Sequence, residues 1–225
     1  MPKLYTKSGD NGETSLYDGN RRPKSSIFFD VLGDIDELSS HIGVLHANID
    51  LTRRDHQRAK CMLQHRSDCY EEKEGKYDAC LINLREIQIK LFDISSNIAV
   101  IDEKKRKNLT KISGNDVKKL EGLIDECEAK NDRLTEFLVY GTQSNDAQCH
   151  VCRSLARRVE RSLWKLEHIG EGYDNKNNSI SVVKVDNNIL RYMNRLSDFF
   201  FALARNLARS DIKVRDIKKK LATYK

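Results

Sequence analysis

Proline occurs twice in this chain of 225 residues, at Pro2 and Pro23, and nowhere from residue 24 to the C-terminus. Average usage, roughly 5%, would place about ten more. Proline disrupts helix interiors because it lacks an N–H and its ring meets the preceding turn. Two hundred residues without it favour long helices and argue against a loop-rich β-sandwich. Only eleven glycines are present, which excludes collagen-like and glycine-linker architectures.

The remaining totals narrow the class. The length suits a single domain, 1–225, with a sizeable core. Charged residues make up 33% and hydrophobic residues 39%, more polar than a typical domain but not a disordered composition. No apolar run is long enough to cross a bilayer, so no membrane association is expected. The N-terminus, MPKLYTKSGD, is neither a secretory signal nor an Arg-rich transit peptide. The net charge of +6 suits an anionic ligand and only weakly suggests nucleic acid. Cys61, Cys69, Cys80, Cys127, Cys149 and Cys152 form no secreted disulfide pattern in a chain this long, which points to a reduced compartment. The CxxC at Cys149–Cys152 lies in a helical pattern and reads as small buried hydrophobes rather than a zinc or redox pair. Cys61, His65 and Cys69 would share one face of a continuous helix, but their polar surroundings read as solvated chain, and no residue is assigned to a metal.

Residues 1–29 stand apart. They hold both prolines, Gly9, Gly12 and Gly19, and read as a loop or short extended arm. Five helical stripes follow: Val31, Ile35, Leu38, Ile42, Leu45; Leu84, Ile87, Leu91, Ile94, Ile98; Val117, Leu120, Ile124, Cys127, begun by Ser113 and Asp116; Val151, Leu155, Val159, Leu163, Leu166; and Ile189, Met193, Leu196, Phe200, Leu203, Leu207. Each places apolar side chains on one face. With no strand pattern between them, they predict an all-α five-helix bundle with ferritin-like up-down packing. Polar stretches at about 51–79 and 168–187 read as insertions, and 102–114 as a Lys-rich connection.

Chemistry could sit on the arm and on three of the stripes. The arm has glycines, hydroxyls and lysines suited to phosphate, though no P-loop pattern. On the fourth stripe, Arg153, Arg157 and Glu160 share a face beside the core positions, flanked by Arg158 and Arg161. Arginine suits bidentate recognition of phosphate, and a solvated charged face is the plain alternative. On the fifth, Asn194, Arg195, Ser197 and Asp198 adjoin the core stripe. Asp36 and Glu37 are available carboxylates on the first.

These residues carry a resemblance. Leu4–Leu16, Arg21-Arg22-Pro23-Lys24 and Gly33–Ser40 resemble the N-terminal motifs of the PduO-type ATP:cob(I)alamin adenosyltransferases. His150–Arg153 with Arg157–Arg161, and Leu190–Asp198, resemble that family's Arg-rich and C-terminal signatures, in the same order. The resemblance implies a homotrimer with active sites between subunits, transfer of the 5′-deoxyadenosyl group of ATP to the cobalt of a reduced corrinoid such as cobalamin, and release of triphosphate. It implies ATP contacts from Thr6, Lys7, Ser8, Gly9, Thr14, Ser15 and Lys24 on the arm, and from Arg157, Arg158, Glu160, Arg161 and Asn194 on the helices. It implies an Asp36–Arg153 salt bridge near the corrinoid and Phe137 against its lower face. Mg²⁺ on the phosphates and a cobalamin reductase as electron source are implied partners. The expected location is the cytoplasm, or the mitochondrial matrix if a presequence is absent from the sequence as given.

One departure stands out. The family commonly follows its Phe motif with Pro-Gly-Gly. Here Phe137-Leu138-Val139-Tyr140-Gly141-Thr142 has no proline and one glycine. That departure supports a rival reading, a nucleotide-binding regulator without transfer activity. A second rival is a basic helical scaffold binding nucleic acid through the Lys-rich tracts at 102–111 and 213–220.

Overall fold

The computed structural model describes residues 5–62, 68–169, 184–208 and 212–223, with backbone alone at 60–62, 68–74, 76, 169 and 219–223. The chain opens with a hairpin, β1 (Glu13–Ser15) and β2 (Arg21–Pro23), in antiparallel register with Thr14 opposite Arg22. Then come α1 (Ile27–Met62), α2 (Asp68–Ile98), the short α3 (Glu103–Arg106) and α4 (Gly114–Glu128). The two-residue β3 (Leu138–Val139) leads into α5 (Ser144–Ile169) and α6 (Asn187–Leu207). The described chain closes with β4 (Ile212–Lys213), paired to β3, and α7 (Val214–Thr223).

The described residues form a mostly helical, all-α bundle, and the stripes read from the sequence fall on α1, α2, α4, α5 and α6. Every stripe residue named for α1 and α2 is buried, as are Val117 and Leu120 of α4. Helix α6 is buried most extensively, from Ile189 through Arg205. It packs between α5 and α4, α5 packs on α1, and α1 on α2. Ion pairs from Lys90 to Asp116 (2.9 Å) and Lys119 to Glu86 (2.6 Å) join α2 to α4. The Ser113 cap forms as expected: Asp116 N–H donates to Ser113 Oγ at 3.2 Å, and the Asp116 carboxylate accepts from Ser113 N–H at 2.8 Å. Burial raises the Asp116 pKa, but Ser113 and Lys90 outweigh it and hold it down at about 2.

Two boundaries differ from the sequence reading. The stretch 51–79 is not a loop insertion, because α1 continues to Met62 and α2 starts at Asp68. The chain there has no proline, and its helix is held by ion pairs, Arg53 to Asp50 (2.7 Å), Arg54 to Asp50 (2.6 Å) and Arg53 to Asp78 (2.6 Å). A helical pair that projects past the core needs no apolar stripe, so periodicity fell silent at Ile49, the last α1 residue buried among those whose side chains are described. Cys61 and Cys69 therefore sit on different helices, and His65 lies outside the described residues. The arm ends at Ser26 rather than residue 29, since Ile27 opens α1. The stretch 168–187 narrows from both sides, with α5 reaching Ile169 and Asp186 capping α6; residues 170–183 lie outside the described residues.

Phe200 is fully buried on α6 and packs edge-on against Phe199 at 5.4 Å between centroids. Phe200→Ala should cost about 3–5 kcal/mol, read as a lower urea midpoint with unchanged slope. A loss below about 1 kcal/mol would show that α6 is not the centre of the core.

Candidate functional site

The arm is held to the bundle by specific bonds. Leu16 is buried, and Tyr17 N–H donates to Ala99 O at the end of α2 (3.1 Å). The Asp18 carboxylate accepts from Ile101 N–H (2.7 Å) and Asp102 N–H (3.1 Å). Burial raises the Asp18 pKa, but the N–H donors of Asn20, Asp102 and Ile101 outweigh it and bring it to about 2. Arg22 lies over the Phe28 ring, 4.9 Å from its centroid, tying the hairpin to the first turn of α1.

The tip of the arm carries the predicted anion contacts. Thr6 and Ser8 hydroxyls are 2.8 Å apart, and Arg21 Nη2 donates to Ser8 O at 3.1 Å. Lys7 adopts a positive φ of 60°, which non-glycine residues rarely take outside constrained sites. Lys24 crosses over Gly9: a Cβ there would lie 3.2 Å from Lys24 Nζ. Glycine at this position leaves the ammonium group clear beside exposed backbone, a cradle suited to phosphate oxygens. Thr14 and Ser15 sit in β1; by strand alternation half-buried Thr14 shares the face of buried Leu16, and Ser15 points to the opposite, exposed face.

On α5 the Arg-rich face divides. Arg158 turns to α1, with Nε 2.9 Å from Asp34 Oδ1 and Nη2 on Glu37, while Ser162 Oγ donates to Asp34 Oδ2 at 2.6 Å. Glu160 turns to α6, accepting from Asn194 Nδ2 at 3.0 Å; Arg195 donates to Asn194 Oδ1 (2.7 Å) and pairs with Glu121 of α4 (3.0 Å). Arg157 and Arg161 are exposed and make no hydrogen bond or ion pair among the described residues. No such bond joins Thr6, Lys7, Ser8, Thr14, Ser15 or Lys24 to Arg157, Glu160, Arg161 or Asn194. A single chain therefore brings together Glu160 with Asn194 and Arg158 with Asp34, but not the arm with the free arginines. Asp34 as Arg158's partner, 124 positions away, had no local signal.

A third group gathers at the start of α5. Phe137 is 86% exposed on the connection from α4. Gly141, at φ 91°, makes the following turn, so the one glycine kept there supplies the left-handed residue. Buried Asp146 accepts from Gly141 N–H (3.1 Å), Thr142 N–H (2.9 Å) and Gln143 N–H (2.5 Å). Tyr140 stacks on His150 at 3.8 Å, and the Arg153 guanidinium lies 5.2 Å from the Tyr140 ring centroid. Burial first, then Arg153, lower the His150 pKa to about 4, so this imidazole is neutral near pH 7. Asp36 is exposed on α1, and Arg153 does not pair with it within the chain. The His150 and Tyr140 rings were not singled out from sequence, because their stacking joins a loop to a helix. Cys149 and Cys152 are buried, and burial raises the Cys149 thiol well above its ordinary value and pushes Cys152 up to about 12, as core residues rather than thiolates.

The sequence matches the family model described as cobalamin adenosyltransferase over residues 4–207. The chain belongs to this family. It is 34% identical over 214 residues to the corrinoid adenosyltransferase of Bacillus subtilis, spanning 93% of this chain and 89% of the relative. It is 30% identical over 211 residues to the human corrinoid adenosyltransferase, spanning 92% of this chain and 70% of that protein. Among solved structures, a variant PduO-type ATP:corrinoid adenosyltransferase from Lactobacillus reuteri complexed with cobalamin and ATP has a TM-score of 0.68 at 23% identity, covering 95% of this chain and 97% of that one. Another variant from that organism, complexed with ATP, has a TM-score of 0.67 at 25% identity, covering 94% and 100%. In the family's frame, the described helices include none long and apolar enough to cross a membrane.

Proposed function

We propose that this chain transfers the 5′-deoxyadenosyl group of ATP to the cobalt of a reduced corrinoid and releases triphosphate. The observation that carries the reading is the division of the α5 face, where neighbours anchor Arg158 and Glu160 and leave Arg157 and Arg161 free and outward. Two unpaired guanidinium groups on a fixed helix form a preorganised seat for a polyphosphate. Support comes from the shared name of the Bacillus subtilis and human relatives, corrinoid adenosyltransferase, and from the ATP in the Lactobacillus reuteri complex at 25% identity.

In this reaction the reduced cobalt uses its own electron pair to attack the ribose C5′. A cobalt–carbon bond forms, the C5′–oxygen bond breaks, and its electrons leave on the triphosphate. No side chain need remove a proton. The protein's tasks are alignment and stabilisation of the leaving charge. Arg157, with Lys24 above Gly9, is assigned the leaving charge. Thr6, Lys7, Ser8, Thr14 and Ser15 wrap the nucleotide, and Arg161 with the Glu160–Asn194 pair completes its seat. The described residues contain no group of three His, Cys, Asp or Glu side chains fit to cage a metal, so Mg²⁺ would be held chiefly by the triphosphate and neutralise part of its charge.

The arm and the free arginines do not meet within one chain, and Asp36 and Arg153 stay unpaired there. Helix α2 also exposes Ile82, Ile89 and Phe92 along one face. These features support a site completed by neighbouring copies, in a homotrimer. Phe137, bare at the corrinoid side, would exclude an axial ligand from cobalt(II), which eases its reduction by a partner reductase. The proposed location is the cytosol or the mitochondrial matrix.

Arg157→Ala should weaken ATP binding by about a hundredfold, the scale of a lost charge-assisted phosphate contact, by titration calorimetry; wild-type affinity would remove Arg157 from the site. Phe137→Ala should keep ATP affinity and lose turnover started from cobalt(II). Unchanged turnover would remove Phe137 from the corrinoid side.

A further inference from the structure

The segment that carries Phe137 is held by a part of the chain beyond the family match, which ends at residue 207. Four contacts run in sequence along it. Arg215 Nη2 pairs with Glu136 Oε1 at 3.2 Å. Val214 N–H donates to Phe137 O at 3.1 Å. Leu138 pairs with Lys213, and Val139 with Ile212, in the antiparallel β3–β4 ladder. These contacts fix the backbone on both sides of Phe137 and leave its ring 86% exposed. On the other side, Asp146 gathers the turn at Gly141–Gln143, and Tyr140 lies on His150.

This arrangement answers the altered turn. A Pro-Gly-Gly sequence restrains its own backbone, because proline fixes φ and removes freedom from the loop. Phe137–Thr142 has no proline, so its restraint comes from elsewhere in the chain. A two-residue ladder is marginal alone, which makes each added contact count.

We propose that residues 212–215 are a positioning strap for the corrinoid-side aromatic, with Val214 and Arg215 as positioning residues that act through the backbone of Phe137. The inference rests on the adenosyl-transfer reading for its effect on catalysis. Among the described residues no hydrogen bond or ion pair joins the strap to the nucleotide arm or to the arginine face of α5, so its influence falls on the corrinoid and spares ATP.

Val214 is the first residue of α7 and follows a β residue. Proline is tolerated at a helix's first position, and the residue before it is already extended as proline requires. Val214→Pro therefore deletes the N–H that holds Phe137 O while sparing the helix. Val214→Ala keeps that N–H. In Val214→Pro, hydrogen exchange of the 136–140 amides should quicken about fivefold, the scale of one lost hydrogen bond. The corrinoid KM or cobalt(II)-started turnover should worsen by a similar factor, with the ATP KM within about twofold of wild type. Val214→Ala should match wild type. Arg215→Glu should act in the same direction, and adding Glu136→Arg should restore it. Unchanged exchange in Val214→Pro, equal effects on ATP and corrinoid, or no rescue by the reversed pair would overturn the strap. A wild-type chain that forms no adenosylated corrinoid would overturn the functional reading and the positioning role with it. An active wild type whose corrinoid parameters ignore Val214→Pro would overturn the positioning role alone.

Discussion

The seating of α5 between α1 and α6 is the constraint on which the rest depends. Leu155, Ala156, Val159 and Leu163 are buried by the two neighbours, which fixes the rotation of α5 about its axis. At 3.6 residues per turn, that rotation sends Arg158 to Asp34 on one flank and Glu160 to Asn194 on the other. Arg157 and Arg161 are then left outward, with no freedom to join the core. Apolar burial of this kind is non-directional in energy but strict in geometry, because close-packed side chains admit few alternative rotations.

The charged and aromatic parts of the site are separated along the same helix. Arg157 and Arg161 lie one and two turns past Arg153, whereas His150, Tyr140 and the Phe137 segment gather before it. The first region offers free guanidinium groups. The second offers rings and a neutral imidazole, held so by burial. In the proposed reading the first region seats the polyphosphate, and the second, shared between α5 and the segment before it, faces the corrin ring. The arm reaches the bundle through Asp18 at the end of α2, so its glycine and lysine are presented on a tethered hairpin rather than a free tail.

How much of this was legible in the sequence varied with the range of the interactions. The five core helices were readable because their stripes are local and periodic, down to the Ser113 cap. The helical stretch past Ile49 was not, since its ion pairs leave no apolar period. The resemblance named the arm, the arginines, Asn194 and Phe137, yet gave no hint that Arg158 would be drawn to Asp34 and Glu37. Likewise Glu136–Val139 and Ile212–Arg215 pair across more than seventy residues, and neither two-residue strand carries an alternation that a sequence can display. The resemblance implied an Asp36–Arg153 pair, but within one chain no hydrogen bond or ion pair joins the two residues.

The central claim is that the free arginine face and the arm serve adenosyl transfer to a corrinoid. It is tested most directly by mixing the purified full chain with ATP, Mg²⁺ and chemically reduced cob(I)alamin, then following the corrinoid spectrum and the triphosphate. Adenosyl transfer gives a light-sensitive cobalt–carbon product formed with one triphosphate per corrinoid. ATP binding with no such product would contradict it in favour of a nucleotide-binding regulator. Absence of ATP binding together with salt-sensitive binding to mixed-sequence DNA would contradict it in favour of a basic scaffold.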